Sequence, residues 1–74
     1  MEDKIIAIVA EQLELDVDEI TMDSAFISDL GADSFEVIEL IETLEEEFGV
    51  SISDKEADKI QTVGDAVAFV KEHA

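Results

Sequence analysis

Residues 33–49 limit the fold of this chain more than any other stretch. Apolar residues recur there at the spacing of one helix face and project into an arc of roughly 100°: Val37, Leu40, Ile41, Leu44 and Phe48. Asp33 is a favoured N-cap residue, and Gly49 suits the left-handed turn that follows a helix. We therefore expect a helix from Ser34 to Phe48, which must bury its apolar face against other helices.

Three further helices and no strand are expected from the remaining patterns. A helix from about Asp3 to Leu15 places its apolar residues on one side. Ser53 followed by Glu56 forms a capping box that predicts a third helix of one or two turns, and Thr62 followed by Asp65 caps a fourth. The expected fold is all-α: a small four-helix bundle with three longer helices and one short one.

The connection between the first two helices, residues 16–32, is long for a small domain. It carries apolar residues along its length: Val17, Ile20, Phe26, Ile27 and Leu30. Because water would otherwise surround these side chains, we expect a structured loop that packs on the core. All elements then share one core, which makes residues 1–74 a single domain.

Acidic residues far outnumber basic ones, with 21 Asp and Glu against 4 Lys and a formal net charge of -17. About a third of the residues are Leu, Ile, Val or Phe, well above the level of roughly 20% at which charged chains stay disordered. Nucleic acid and anionic membrane surfaces repel such a chain, whereas basic protein surfaces attract it over long distances. We expect a folded monomer that binds basic proteins.

Few side chains are suited to catalysis or metal binding. The chain has no cysteine, hence no disulfide and no thiolate, and its one histidine, His73, is next to last, where chains fray. A calcium-binding EF-hand loop starting at Asp16 would need glycine where Thr21 stands, so no metal site is expected. The longest apolar run, residues 5–10, is too short to span a bilayer and follows no basic leader. These features favour a non-catalytic, cytoplasmic protein.

Residues 30–35 lead into the second helix and contain its candidate functional group. If Asp33 is the N-cap and Glu36 completes the capping pair, the Ser34 hydroxyl on the first turn is unused. Gly31 gives the approach conformational freedom and lets a large partner come close to the backbone. The positive end of the helix favours an anion, such as a phosphodiester on Ser34. Alternatively Ser34 is itself the cap, and these few residues alone favour that simpler interpretation.

The motif Leu30-Gly31-Ala32-Asp33-Ser34, followed by Glu39-Leu40 and Leu44-Glu45-Glu46-Glu47-Phe48, resembles the acyl carrier protein family. The likeness covers nearly the whole chain and includes residues 15–20, 52–60 and 62–70. In that family the serine of the Asp-Ser pair receives 4′-phosphopantetheine from coenzyme A through a separate transferase. The resemblance therefore implies a covalent 4′-phosphopantetheine arm on Ser34, with Gly31 and Asp33 beside it. It also implies a carrier of acyl thioesters in fatty acid or related lipid or polyketide biosynthesis.

The second helix also has an acidic face outside its apolar stripe: Glu36, Glu39, Glu42, Glu46 and Glu47. Like charges at these spacings repel one another along a helix, so a face that destabilises its own helix indicates a binding role. The first four of these acids, together with Phe35 and Ile38, are the expected contact surface for partners. The resemblance implies that the partners are a phosphopantetheinyl transferase and the basic surfaces of acyl-synthesising and acyl-transferring enzymes.

Phe35 falls roughly 160° from the centre of the apolar stripe, so we expect it to be exposed as an anchor for a partner. The alternative is that the loop folds over it through Phe26 or Ile27. Phe35 also departs from the family pattern, where leucine is usual, and Glu42 replaces a residue that is often apolar. Both departures bear on which partner enzymes the chain serves.

Two other functions fit the same residues. The Asp-Ser motif is shared by carriers of aminoacyl groups and of specialised acyl groups. An acidic interaction or inhibitor protein would have the same charge but no arm on Ser34, so the mass of the intact protein distinguishes it.

Overall fold

This computed structural model describes residues 2–73, which contain four α-helices and one turn of 3₁₀ helix. The elements are α1 (Glu2–Leu13), the 3₁₀ turn (Val17–Glu19), α2 (Ser34–Phe48), α3 (Asp54–Ala57) and α4 (Val63–His73). Helix α1 packs against both α2 and α4. No strand occurs among the described residues, where Ala25 and Thr62 form only an isolated bridge. The expected all-α fold is confirmed.

The ends of the two longest helices follow from left-handed residues. Helix α2 ends at Phe48, and the next residue, Gly49, is left-handed as predicted, with a φ of 65°. Helix α1 ends before the predicted Leu15, because Glu14 is left-handed with a φ of 57°. The Leu15 N–H then donates to the Ala10 carbonyl at 2.9 Å, which closes the helix end. The predicted end of α1 is therefore wrong by part of a turn.

The caps predicted for the last two helices are confirmed. At α3, the Glu56 N–H donates to Ser53 Oγ at 3.2 Å and the Ser53 N–H donates to Glu56 Oε1 at 3.1 Å. At α4, the Asp65 N–H donates to Thr62 Oγ1 at 3.1 Å and the Thr62 N–H donates to Asp65 Oδ2 at 3.2 Å. These reciprocal bonds satisfy N–H groups that the start of a helix leaves unpaired.

One hydrophobic core lies between the three longer helices and the loop. Its buried members are Ile5, Val9, Ala10, Ile20, Phe26, Ala32, Leu40, Leu44, Ile60, Val63, Ala66, Val67 and Val70. Of the predicted α2 stripe, Leu40 and Leu44 belong to this core and Ile41 is buried outside it, whereas the end members Val37 and Phe48 are only half-buried. Helix α3 buries none of its own residues, so its caps and its partly buried side chains hold it in place.

The loop between α1 and α2 packs on the core only in part. The N–H groups of Asp29 and Leu30 both donate to the Ala25 carbonyl at 3.0 Å, which makes residues 25–30 a helix-like turn. Residues four apart share one side of such a turn, so Phe26 and Leu30 face the core while Ile27 faces solvent. Ile27, like Val17, exposes more than half of its surface. For these two residues the expected packing is wrong.

The loop is anchored to the start of α4. The Phe26 N–H donates to the Gln61 carbonyl at 2.9 Å, and the Gly64 N–H donates to the Met22 carbonyl at 2.8 Å. A Cβ atom at residue 64 would lie 2.9 Å from the same Met22 oxygen, closer than side chains come to backbone. Glycine at 64 therefore permits the approach that holds the loop, and through it the segment leading to Ser34.

Candidate functional site

The capping box at the start of α2 leaves the Ser34 hydroxyl available. The Glu36 N–H donates to Asp33 Oδ1 at 2.8 Å, and the Asp33 N–H donates to Glu36 Oε1 at 3.1 Å. Asp33 is thus the N-cap, and the alternative that Ser34 caps the helix is wrong. Ser34 is exposed on the first turn, and none of the side-chain hydrogen bonds found among residues 2–73 uses its hydroxyl.

The residues before Asp33 hold the start of α2 in a fixed position. Ala32 is buried and its N–H donates to the Phe26 carbonyl at 2.9 Å. Gly31 has a φ of 75°, a left-handed conformation that favours glycine, and a Cβ there would meet no atom within 4 Å. The requirement for glycine is therefore conformational, and the open space beside it leaves room for a partner.

An open cleft of about 470 Å³ lies beside Ser34. The loop, α2 and the segment around α3 form its walls, and most of the lining is apolar: Ala25, Phe26, Ile27, Val37, Ile38, Ile41, Ala57 and Ile60, with Ser28, Ser34, Asp58 and Gln61 as the polar members. The cleft joins residues that are far apart in sequence. Sequence patterns locate the helices, but they do not indicate where α3 lies against α2, so this feature was not predicted.

Three large apolar side chains are exposed around Ser34. Phe35 exposes 67% of its surface, Ile27 59% and Ile38 56%. The predicted exposure of Phe35 is confirmed, and the alternative that the loop covers it is wrong, since Phe26 is buried and Ile27 faces solvent. The sequence reasoning missed Ile27 as a surface residue. The signal for it was the spacing of Phe26 and Leu30, which leaves Ile27 on the other side of the turn.

The acids of α2 divide into two groups. Glu39, Glu42 and Glu46 are exposed, and none of them takes part in an ion pair within residues 2–73. The others have structural partners: Glu36 is in the capping box, Glu45 Oε2 accepts the Ile52 N–H at 2.8 Å, and Glu47 lies 3.8 Å from Lys4 Nζ. The acidic face available to a partner thus consists of Glu39, Glu42 and Glu46.

The described residues contain neither a metal-ion cluster nor a membrane-spanning helix. Across residues 2–73, no cluster of three or more His, Cys, Asp or Glu side chains is arranged to hold a metal ion. None of the helices in the described part of the chain is long and apolar enough to cross a membrane.

The family model and the known proteins that match this chain are all described as phosphopantetheine-attachment or acyl carrier proteins. Residues 3–70 match the family model described as the phosphopantetheine attachment site. The acyl carrier protein of Clostridium acetobutylicum is 51% identical over 71 residues, which are 96% of this chain and 92% of that protein. Among solved structures, a candidate acyl carrier protein of Mycobacterium tuberculosis aligns with a TM-score of 0.89 at 38% identity. That alignment covers 96% of this chain and 95% of the other.

Proposed function

The chain belongs to the phosphopantetheine-attachment family and, within it, to the acyl carrier proteins, so it carries acyl groups on a covalent 4′-phosphopantetheine; we propose that Ser34 is the residue that bears this arm. One observation carries the assignment: Ser34 is exposed directly after the N-cap Asp33 and lines an apolar cleft, and its hydroxyl has no hydrogen-bond partner within residues 2–73. Gly31 and Asp33 fix the backbone on which it is presented.

The surroundings of Ser34 suit a phosphodiester. The N-terminal end of α2 has a partial positive charge that favours phosphate oxygens. In the transfer, Ser34 Oγ loses its proton and bonds to phosphorus, while a P–O bond of the coenzyme A diphosphate breaks and adenosine 3′,5′-bisphosphate leaves. The thiol at the end of the arm supplies the thioester chemistry, which a chain without cysteine does not possess itself.

Mass spectrometry of the intact protein tests the assignment. Incubation with coenzyme A and a phosphopantetheinyl transferase should add one arm to the unmodified chain and none to Ser34→Ala. Ser28→Ala is the matched control, because Ser28 also lines the cleft and its variant should be modified normally. An arm on Ser34→Ala, or an equal loss in both variants, would contradict the proposal.

The cleft is the proposed resting place of the acyl chain. Ser34 lies on its rim, and Phe26, Ile41 and Ile60 supply apolar surface that would cover methylene groups from water. An acyl chain there should shift the NMR signals of Ile41 and Ala57 relative to those of the same protein with an unloaded arm. Unchanged signals would place the chain outside the cleft.

The exposed surface around Ser34 is the proposed docking site for partner enzymes. Apolar side chains of Phe35, Ile38 and Ile27 lie beside an acidic face made of Glu39, Glu42 and Glu46. A partner with an apolar pocket surrounded by Lys and Arg would bury these apolar side chains and pair with these acids. The phosphopantetheinyl transferase and the enzymes that add or remove acyl groups are the partners proposed. Glu36 was expected on this surface too. Because it is half-buried and bound in the capping box, we propose that it makes only a minor part of the contact with a partner.

We further propose that the chain acts as a monomeric, non-catalytic carrier in the cytoplasm, in fatty acid biosynthesis or a related lipid or polyketide pathway. The lack of cysteine and the position of His73 in α4, outside the cleft lining, support the non-catalytic role. Identification of the thioester on protein purified from its native cell would assign the pathway, and an aminoacyl group there would contradict the fatty acyl assignment.

A further inference from the structure

Positive charge is distributed unevenly around the cleft beside Ser34. Residues 5–54 contain no Lys, Arg or His, so the loop and α2, which form two walls of the cleft, present no cation. The third wall belongs to the segment of residues 54–61, which contains Lys55 and Lys59. Any positive charge that borders the cleft therefore comes from this segment.

Lys55 is exposed and lies at the edge of the cleft on the α3 side. The segment stays helical past the end of α3, because the Asp58 N–H donates to the Asp54 carbonyl at 3.1 Å and the Ile60 N–H donates to the Ala57 carbonyl at 3.0 Å. At about 100° per residue, Lys55 projects roughly 60° from Asp58, and side chains three residues apart on a helix are neighbours. Since Asp58 lines the cleft, Lys55 lies on its α3 rim.

Lys59 lies on the other side of the same segment. It lines a shallow groove between the α3 segment and α4, together with Glu56. The pKa of the Glu56 carboxyl is below its ordinary value, first because of its hydrogen bonds with Ser53 and to a smaller extent because of the charges of His73 and Lys59. Neither Lys55 nor Lys59 makes an ion pair within residues 2–73. The charge of Lys59 thus acts on an acid of its own groove, whereas that of Lys55 faces whatever covers the cleft.

An enzyme that docks over Ser34 meets both rims of the cleft. A stable interface covers about 800 Å² of each partner, a substantial part of the 4610 Å² surface of this chain. On the α2 side such an enzyme contacts the unpaired acids Glu39, Glu42 and Glu46, which favour Lys and Arg in the partner. If those basic groups continued across the cleft, they would meet Lys55, and like charges that face each other in an interface are repulsive.

We propose that Lys55 is a specificity-determining residue, which selects partner enzymes that carry Asp or Glu opposite the α3 rim and disfavours partners whose docking surface is basic throughout. This inference rests on the docking site proposed around Ser34. An interface with both signs of charge also fixes the rotation of the partner over the cleft. A partner docked the other way round would place its basic groups against Lys55 and its acidic group against α2.

The rate of arm transfer by the phosphopantetheinyl transferase of the native cell tests this preference, because that enzyme must dock over Ser34. Lys55→Glu should lower kcat/KM for the transfer roughly 2- to 10-fold, since an exposed ion pair is lost and a repulsive contact is gained. Lys59→Glu is the matched control, because it changes the net charge equally, and its kcat/KM should not fall. If only net charge mattered, both variants would react faster, because a more acidic chain attracts a basic enzyme more strongly.

Two further variants separate docking from the stability of α3. Lys55→Arg keeps the positive charge and should be loaded at the rate of the unaltered sequence, whereas the rate of Lys55→Gln should lie between those of the unaltered sequence and Lys55→Glu. A rate for Lys55→Glu equal to or above that of the unaltered sequence would overturn the proposal, as would equal losses in Lys55→Glu and Lys59→Glu. If the unaltered sequence gained no arm at all, the proposed function would fail too. Normal loading that ignores residue 55 would refute this inference alone.

Carbodiimide cross-linking of the chain to the same transferase gives a second test that does not depend on rates. The reagent joins a lysine amine to a carboxylate in contact with it, so mass spectrometry of the digested complex should show Lys55 linked to an Asp or Glu of the transferase. A complex that is cross-linked through Lys59 or Lys71 and not through Lys55 would overturn the proposal.

Discussion

At the start of α2, the side chains of Asp33 and Glu36 bind each other's backbone N–H groups, and those of Ser34 and Phe35 between them are exposed. If the Ser34 hydroxyl were the cap, its hydrogen bond to a backbone N–H would be lost when the hydroxyl became a phosphodiester. Because Asp33 is the cap, Ser34 can be modified without loss of a helix-stabilising interaction. The proposed attachment and the capping of the helix thus use different residues of one turn.

Phe35→Ala should weaken binding to a partner enzyme such as the transferase while leaving the fold intact. The exposed ring can be buried only by a partner, so its loss should cost more than about 1 kcal/mol of binding, roughly a factor of five. The free energy of unfolding should change by less than about 0.5 kcal/mol. Binding measured by calorimetry and unfolding measured in urea give the two values.

Phe26→Ala is the matched control for the aromatic ring. Phe26 is 1% exposed, and its truncation should destabilise the protein by about 3–5 kcal/mol. If instead Phe35→Ala destabilised the protein by several kcal/mol and the folded fraction bound its partner normally, the docking role of Phe35 would be wrong.

At the scale of elements, α2 combines a buried apolar stripe with an acidic face, whereas α3 is a short helix that is stabilised mainly by its capping hydrogen bonds. The existence of both, and their first residues, could be predicted because capping residues and apolar spacing are local signals. The position of α3 against α2, which creates the cleft, brings together residues that are distant in sequence, such as Ile41 and Ile60, which both line the cleft. No local pattern encodes that position. The exposure of Ile27 is different, because the spacing of Phe26 and Leu30 was a local signal for it that the sequence reasoning missed.

Charge reversal on α2 should slow the approach of a basic partner. Glu39→Lys or Glu46→Lys should lower the association rate constant, with a smaller effect on dissociation, because exposed charges act mainly by long-range steering. Raising the salt concentration should slow association of the unaltered protein in the same way. Stopped-flow or surface-binding kinetics would measure both effects.

Glu11→Lys in α1 makes the same change of charge on another exposed helix position. It should reduce the association rate less than Glu46→Lys does, because it lies outside the α2 face. Equal effects of the two variants would mean that only the net charge matters, and association independent of salt would contradict the electrostatic account altogether.

At the scale of the whole molecule, a net charge of -17 acts on a chain of 74 residues. Such self-repulsion favours the expanded, unfolded chain. Few cations offset it: Lys4 lies near Glu47 and Lys71 near Glu2, both as exposed pairs that contribute little. The composition made this repulsion predictable, but the pairing of Lys4 with α2 was not, because it requires α1 and α2 to be packed together.

Added salt should therefore stabilise the protein. The melting temperature in 300 mM sodium chloride should exceed that in 10 mM by about 5 °C, which corresponds to about 1 kcal/mol for a domain of this size. A Glu42→Gln and Glu46→Gln double variant, with less repulsion along α2, should show a smaller rise. A melting temperature that falls with salt, or a larger rise in the variant, would contradict this explanation.

The 2.9 Å gap between a would-be Cβ at residue 64 and the Met22 oxygen has a consequence for inherited variation. Substitution of Gly64 would push the loop away from α4, and the loop leads through Phe26 and Ala32 directly to Ser34, the proposed attachment site. In a genetic screen for carriers that fail to be charged, substitutions at Gly64 should therefore be recovered together with those at Ser34. Two codons far apart in the gene would then share one phenotype.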